Sequence, residues 1–266
     1  MKNLLAANIC YTYDGTYYGM LSCVFEAFSK KEMPLQIDAV TNNQPASLLV
    51  SKFIATNGDH AKRILDSIPH KISPLALEYV KLCYLSSVIQ KEIALIHLLT
   101  EGYHHGHNFI QSIRTGFSPS RKLIASALKN DHIKRLEKGI NLLTRDAHMF
   151  VQFVRFSEVN GALVSIIEPE HNVLPLLGDH FTSRFKNEQF LIYDKTRSLA
   201  LIYLNGKLTL EYIDNYQIPL LSDDEKKYQK LWQLFFNAVA IKERVNHRCQ
   251  TNFLPKKYRS NMTEFM

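Results

Sequence analysis

Apolar residues at helical spacing dominate the first half of the chain. They recur three and four positions apart in four stretches, and so predict helices at residues 17–31, 59–68, 74–100 and 121–150. Thr16 is suited to cap the first of these helices, and Ser73 followed by Pro74 suits the first turn of the third. Short strands are predicted at residues 9–13 and 48–53. The N-terminal part of the chain is therefore predicted to be mainly helical.

After residue 150 the spacing changes from helical to alternating. Strands are predicted at residues 151–159, 162–167, 189–193, 199–204 and 208–213. Asn160-Gly161 and Asn205-Gly206 each predict a two-residue type I′ hairpin turn between neighbouring strands. Helices are predicted at residues 173–185 and 223–245, the second capped by Ser222.

The order of these elements indicates the fold class. Helices come in one run and strands in another, which is typical of an α+β protein with a mostly antiparallel sheet and packed helices. We therefore predict a helical N-terminal part at residues 1–118, an α+β module at residues 119–245, and a basic aromatic tail at residues 246–266.

The 266 residues carry a formal net charge of +7. The spacing of the four cysteines limits the kinds of metal site that the chain could hold. Cys10, Cys23, Cys83 and Cys249 are scattered without a CxxC pair, which excludes a zinc ribbon or an iron–sulfur motif. No cofactor is therefore expected, and the cysteines are predicted to be buried in a reducing compartment. No secretory signal or membrane span is predicted, so the expected location is the cytoplasm.

Two basic patches favour an anionic partner. Residues 114–138 contain seven basic and two acidic residues, and residues 242–259 contain six basic and one acidic residue. Cations that hold phosphates, interleaved with aromatics that stack on bases, are typical of single-strand nucleic-acid binding. The alternative is a solvated helix face and a tail packed on the core. The predicted nucleic-acid-binding residues are Arg121, Lys122, Lys129, Lys134, Arg135, Lys138, Arg244, Arg248, Lys256, Lys257, Tyr258 and Arg259.

Residues 145–197 combine charged and imidazole groups with aromatics, as in an ion-pair network or a catalytic site. Arg155, predicted on a strand, either pairs with Asp194, Glu168 or Asp146 or binds a phosphate. The catalytic candidates are His148, Arg155, Glu168, His171, His180, Arg184, Asp194 and Arg197.

A second histidine-rich stretch lies near the end of the predicted helix at residues 74–100. His97, Glu101 and His104 have the spacing of one helical face, which can hold a metal, but histidines also suit a helix C-terminus without metal. The second interpretation is favoured, so no metal is predicted.

The order of several short motifs resembles that of a known family. The motifs are Tyr13-Asp14-Gly15-Thr16, Phe153 with Arg155-Phe156, Glu168-Pro169-Glu170-His171, His180-Phe181, Arg184-Phe185, Tyr193-Asp194 with Arg197, Glu243-Arg244, Pro255-Lys256-Lys257-Tyr258 and Glu264-Phe265. With this combination the chain resembles an uncharacterised bacterial family associated with DNA metabolism and DNA repair. It departs from the family pattern at Asp146, Met149, Gln152 and Arg259.

The resemblance implies a role beside other DNA-metabolism proteins. Genes of the family commonly neighbour one for a radical-SAM protein, and some relatives are fused to a uracil-DNA-glycosylase-like domain. We therefore expect an accessory protein that binds DNA or another nucleic acid and supports a radical-SAM partner. Because the chain lacks the three-cysteine cluster motif, radical chemistry would belong to the partner. The alternatives are an enzyme acting on nucleic acid or a nucleotide, and a non-catalytic scaffold.

Overall fold

A computed structural model describes residues 4–40, 50–106, 130–217, 219–241 and 246–265. The chain divides into two compact units, Met1–Leu143 and Thr144–Met266. The boundaries predicted near residues 118 and 245 fall in stretches outside the described residues. No helix in the described ranges is long and apolar enough to cross a membrane.

The N-terminal unit contains a parallel sheet and its helices. Strands β1 (Leu5–Tyr13), β2 (Glu32–Ala39) and β3 (Val50–Phe53) pair in the order β2-β1-β3, with β1 parallel to both neighbours. The helices are α1 (Tyr17–Lys30), α2 (Gly58–Lys71), α3 (Pro74–Leu85) and α4 (Lys91–His105). Strand β2 is absent from the sequence prediction, which ends the first helix before Pro34. In the structure Pro34 pairs with Ala7 of β1.

Two of the predicted helices have different limits in the structure. The helix predicted at residues 74–100 is two helices, α3 and α4, because the backbone leaves the helical path after Leu85. There the Ser86 hydroxyl bonds the Cys83 carbonyl, and Gln90 has a φ of 57°. Pro69 lies inside α2 rather than closing it.

The core of the N-terminal unit lies between the sheet and the helices. Tyr11 and Tyr13 of β1 are buried there with Met20 and Leu21 of α1 and with Leu95 of α4. Cys10, Cys23 and Cys83 are buried as predicted, whereas Cys249 of the other unit is exposed.

Helix α5 (Asp131–Phe153) is longer than predicted at its C-terminal end. The predicted stripe is buried, and its members are Ile133, Leu136, Ile140, Leu143, Ala147 and Phe150. The helix continues through Phe153, so the strand predicted at residues 151–159 is reduced to β4 (Ser157–Val159). Arg155 therefore lies in the link after α5, and its predicted position on a strand is wrong.

The sheet of the C-terminal unit is mixed, which corrects the mostly antiparallel prediction. Its strands follow the order β4-β5-β6-β7-β8, where β5 is Ala162–Ile167, β6 Phe190–Asp194, β7 Leu199–Leu204 and β8 Lys207–Tyr212. Helix α6 (Leu174–Arg184) crosses from β5 to β6, so these central strands are parallel while the other three pairs are antiparallel.

Both predicted hairpin turns are confirmed. The φ angles of Asn160 and Gly161 are 52° and 81°, and those of Asn205 and Gly206 are 51° and 77°. Two consecutive left-handed residues are what a type I′ turn requires. The turns join β4 to β5 and β7 to β8.

The last part of the chain is helical, including the segment predicted as a basic aromatic tail. Helix α7 (Asp223–Val239) begins after Ser222, whose hydroxyl accepts from the Glu225 N–H at 3.1 Å, and it has no buried residue. Helix α8 (His247–Phe253) follows, and then two 3₁₀ helices, Lys256–Asn261 and Thr263–Phe265. Tyr258 and Met262 of this last segment are buried.

Candidate functional site

Helix α8 and the residues just after it carry an exposed aromatic ring and two exposed cations. Phe253 is 74% exposed, and Arg248 and Lys256 are also exposed. Asn246 caps α8 by accepting from the Cys249 N–H at 2.9 Å. Within the described residues, Arg248 and Lys256 form no ion pair. We call Arg248, Phe253 and Lys256 the α8 surface.

The neighbouring predicted binding residues are engaged inside the unit. The Tyr258 ring is 7% exposed and packs edge-on against Phe150 at 5.0 Å, so it is not available to stack on a base. The Arg259 guanidinium donates to the Leu254 carbonyl at 2.9 and 3.2 Å and lies 5.0 Å from the Phe265 ring. Lys257 is half-exposed but donates to Asp146 at 2.7 Å.

The other predicted basic patch is described only in part. Lys134, Arg135 and Lys138 are exposed on the first half of α5, in the N-terminal unit, and Lys134 lies 3.4 Å from Asp131. Four further predicted binding residues lie outside the described residues: Arg121, Lys122, Lys129 and Arg244.

Arg155 pairs with Glu264 near the end of the chain rather than with any of its predicted partners. Its Nη2 lies 2.8 Å from Glu264 Oε1 and its Nε 3.4 Å from Oε2, and Nη1 donates to the Gln152 and Val154 carbonyls. The Trp232 indole N–H also donates to Glu264, at 3.2 Å. Burial opposes the charge of Glu264, but the hydrogen bonds from Arg155 hold the pKa of its carboxyl below the ordinary value.

Asp194 and Arg197 form a structural turn. Asp194 is fully buried, and its carboxylate accepts from the N–H groups of Thr196 and Arg197 and from Arg197 Nη1 at 3.0 Å. Arg197 also donates to the carbonyls of Pro169 and Glu170, at 3.1 and 2.6 Å. Burial raises the pKa of Asp194, although the bonds from Arg197 oppose that rise. These contacts tie the end of β6 to the segment after β5.

Several polar side chains surround the buried Asp146 on α5. Its Oδ1 accepts from Lys257 and from the Tyr258 hydroxyl, whereas its Oδ2 is buried and has no hydrogen-bond partner among the described residues. The same holds for Asn172 Oδ1. His171 is 5% exposed and within electrostatic range of Asp146. Burial lowers the pKa of His171, which favours its neutral imidazole.

The remaining catalytic candidates lie on exposed surfaces. The His148 Nε2 lies 2.8 Å from Gln152 Nε2 on the same helix, and the His180 ring contacts Phe181 at 5.0 Å. The Arg184 guanidinium lies 5.6 Å from the Phe185 ring, and Glu168 is 3.5 Å from Lys195. Arg155 and Glu168 line a common small pocket, and His171 lies within electrostatic range of Arg197, which pairs with Asp194. His148, His180 and Arg184 instead contact side chains close to them in sequence.

The histidines of α4 are engaged with neighbouring side chains in the N-terminal unit. The His97 ring stacks on His132 at 5.0 Å, and burial lowers the pKa of His97. His105 lies 3.2 Å from Glu101. In the part of the chain that the structure describes, no group of three or more His, Cys, Asp or Glu side chains could hold a metal ion.

A cavity of about 430 Å³ opens in the C-terminal unit between β5 and the start of α7. Ser165, Lys226, Gln229, Asn261 and Arg155 line it, together with aliphatic side chains. Apart from Arg155, none of these residues was a candidate from the sequence. They are spread over more than a hundred positions and share no motif, so no local signal pointed to them.

Comparison with known proteins places the chain in a family without assigning an activity. A family model described as a domain of unknown function, DUF4130, matches residues 103–264. No match is found among curated proteins. The matched residues cover α5, the mixed sheet, the cavity and the α8 surface. The match extends over more than half of the chain, which therefore belongs to the DUF4130 family.

Proposed function

We propose that this protein binds single-stranded nucleic acid through the α8 surface. The observation that carries the proposal is a set of three exposed side chains within one short segment, the Phe253 ring and the cations Arg248 and Lys256. An exposed aromatic ring offers a face on which a nucleic-acid base can stack, while cations along the same segment hold the phosphates. Every base has a stacking face, so binding would tolerate many sequences.

The charge of the surrounding sequence supports the same proposal. Residues 242–259 contain six basic residues against one acidic residue, more than the chain average. Such a local excess raises the rate and affinity of binding to a polyanion.

The cellular role that we propose is that of an accessory protein in DNA metabolism or repair. The support is the sequence resemblance described above, which associates such chains with a radical-SAM protein. In this role the chain would hold nucleic acid, and the partner would carry out the radical chemistry. An enzymatic role of the chain itself has less support, because Arg155 and Asp194 are committed to ion pairs with Glu264 and Arg197.

Fluorescence anisotropy with a labelled single-stranded DNA oligonucleotide, measured across a salt series, tests the binding. Replacing Phe253 by Ala should weaken binding by roughly 5- to 150-fold, because stacking contributes about 1–3 kcal/mol per base. Replacing Lys256 by Ala should lower the log–log salt slope by about 0.7, the contribution of one phosphate contact on a single strand.

The matched control is Lys62→Ala, which removes an exposed lysine on α2 in the other unit and should change neither quantity. Absence of wild-type binding at low salt would contradict the proposal. Co-purification with a radical-SAM protein without affinity for DNA would favour the scaffold alternative instead.

A further inference from the structure

The cavity between β5 and α7 has the size and walls of a small-molecule site. Its volume of about 430 Å³ lies within the roughly 300–1,000 Å³ typical of such sites. Val164 and Ile166 of β5 contribute aliphatic surface, and so do Leu220 and Leu221, which precede α7. Aliphatic walls of this kind suit a flat, weakly polar ring.

The polar groups in the cavity include both donors and acceptors that lack partners within the described residues. Ser157 of β4 lies opposite Val164 and accepts from Gln229 at 3.0 Å, which leaves its own O–H as a donor. Gln229 also donates to Glu225 at 2.9 Å, which leaves its carbonyl oxygen as an acceptor. Among the described residues, the Asn261 amide makes one long contact, 3.4 Å to Ser260. Amide side chains with these free groups match the donor and acceptor edge of a nucleobase.

The charges at the cavity favour a ligand with a negative group. Arg155 and Lys226 line it, and no carboxylate does so among the described residues. Arg155 is paired with Glu264, and its Nη2 keeps one N–H beyond that bond. Lys226 lies 3.1 Å from Asp223, but that carboxylate is 89% exposed, so water weakens the pairing. A phosphate at the mouth of the cavity would therefore meet two cations whose carboxylate partners, Glu264 and Asp223, do not line the cavity.

The cavity is connected to the α8 surface through a short stretch of backbone. Asn261 is the last residue of the 3₁₀ helix that begins at Lys256. Five residues at a rise of about 2 Å each separate the two positions by roughly 10 Å. A strand whose phosphate is held at Lys256 can therefore reach the cavity with a base only a nucleotide or two away.

From this geometry we propose that the cavity binds one nucleotide unit, with its base between the aliphatic walls and its phosphate toward Arg155 and Lys226. The base would come from the strand held at the α8 surface, so this inference rests on the proposed function. Taking one base out of the stack would add selectivity for unpaired nucleotides, since an unpaired base costs least to extract.

The single tryptophan of the chain reports on this site. The Trp232 indole bonds Glu264, which in turn holds Arg155 at the cavity. Tryptophan fluorescence of the full chain should therefore change saturably on titration with at least one of the four deoxynucleoside 5′-monophosphates. Inorganic phosphate alone should not produce the same change.

Two variants and two matched controls locate the binding. Asn261→Ala and Ser157→Ala each remove a hydrogen-bonding group and should raise the Kd of the responding nucleotide about threefold to tenfold. Asn187→Ala and Ser183→Ala remove the same groups at exposed positions around the end of α6 and should leave the Kd unchanged. Far-ultraviolet circular dichroism and the urea midpoint of each variant establish that it is folded.

The outcomes separate this inference from the proposed function. No saturable response to any nucleotide, or a response unaffected by both Asn261→Ala and Ser157→Ala, overturns the cavity assignment. If oligonucleotides still bind and respond to Phe253→Ala in that case, the proposed function stands. If nucleotides bind with the expected variant effects while oligonucleotides do not bind at low salt, the proposed function fails and the cavity remains a nucleotide site.

Discussion

At the scale of single residues, the buried Asp146 carboxylate organises the C-terminal unit. It accepts from Lys257 and from Tyr258, which follow it by more than a hundred positions. This carboxylate joins α5 to the last segment of the chain. A hydrogen bond to a charged acceptor contributes more to the free energy of unfolding than a hydrogen bond between neutral groups.

Replacing Asp146 by Ala is therefore expected to lower the free energy of unfolding by about 2–3 kcal/mol, since it leaves the buried Tyr258 hydroxyl without an acceptor. Urea unfolding followed by circular dichroism measures the loss. Lys256→Ala, at an exposed neighbour, should change the free energy by no more than about 0.5 kcal/mol. Equal effects of the two substitutions would contradict the role of Asp146.

Burial of His171 gives the stability of the protein a defined dependence on pH. Its pKa is lowered in the folded state, so the unfolded chain binds a proton more readily. The contribution of His171 is therefore complete above the unfolded pKa of about 6.5 and decreases as the pH falls from there toward the folded pKa.

The urea midpoint of the wild type should accordingly fall between pH 7.5 and pH 5, and His171→Gln should reduce that slope. His97 in the N-terminal unit has a lowered pKa as well, so His97→Gln should reduce the pH dependence of the urea midpoint independently of His171. A slope that is unchanged in both variants would show that neither imidazole controls it.

At the scale of elements, the start of α1 depends on a close approach between a carboxylate and a glycine. Asp14 accepts from the Thr16 N–H at 3.0 Å and from the hydroxyls of Thr16 and Thr56 at 2.7 and 2.6 Å. A Cβ at Gly19 would lie 2.1 Å from Asp14 Oδ1 and 2.9 Å from Thr56 Oγ1. The hydrogen-bonded group therefore occupies the space that any side chain at position 19 would need.

Gly19→Ala is expected to destabilise the protein by about 1–3 kcal/mol, because the displaced Asp14 carboxylate loses hydrogen bonds worth about 1 kcal/mol each. This is the reverse of the usual gain of about 0.5–1 kcal/mol for alanine over glycine in a helix. Gly58→Ala at the start of α2, where no atom lies within 4 Å of the added Cβ, should be neutral or stabilising. Thermal unfolding of both variants distinguishes the two cases.

At the scale of the whole molecule, the free energy of local opening is expected to differ strongly between elements. Strand β6 lies in the centre of its sheet with four of its five residues buried, whereas α7 has no buried residue. Elements with few buried contacts open locally at low free energy.

Hydrogen exchange measured by mass spectrometry should therefore show fast exchange in peptides from α7 and slow exchange in peptides from β6. Added single-stranded DNA should slow exchange at α8, where the proposed surface lies. Protection of α7 equal to that of β6 in the isolated protein would mean that something covers the helix in solution.

The sequence by itself determined the features whose signals lie within a few residues. The two Asn-Gly turns need left-handed backbone at two consecutive positions, and the cap at Ser222 and the buried stripe of α5 depend on fixed short spacings. These local preferences do not require knowledge of the rest of the chain, so the pattern was sufficient to predict them.

Only the tertiary structure decided which distant groups meet. Strand β6 pairs in parallel with β5 because of the crossover through α6, and the continuation of α5 removed the strand on which Arg155 was predicted. Arg155 then meets Glu264, 109 positions away, instead of Asp194. The cavity likewise is formed by side chains from the sheet, α7 and the last segment. Such contacts result from chain topology and packing, which residue spacing does not encode.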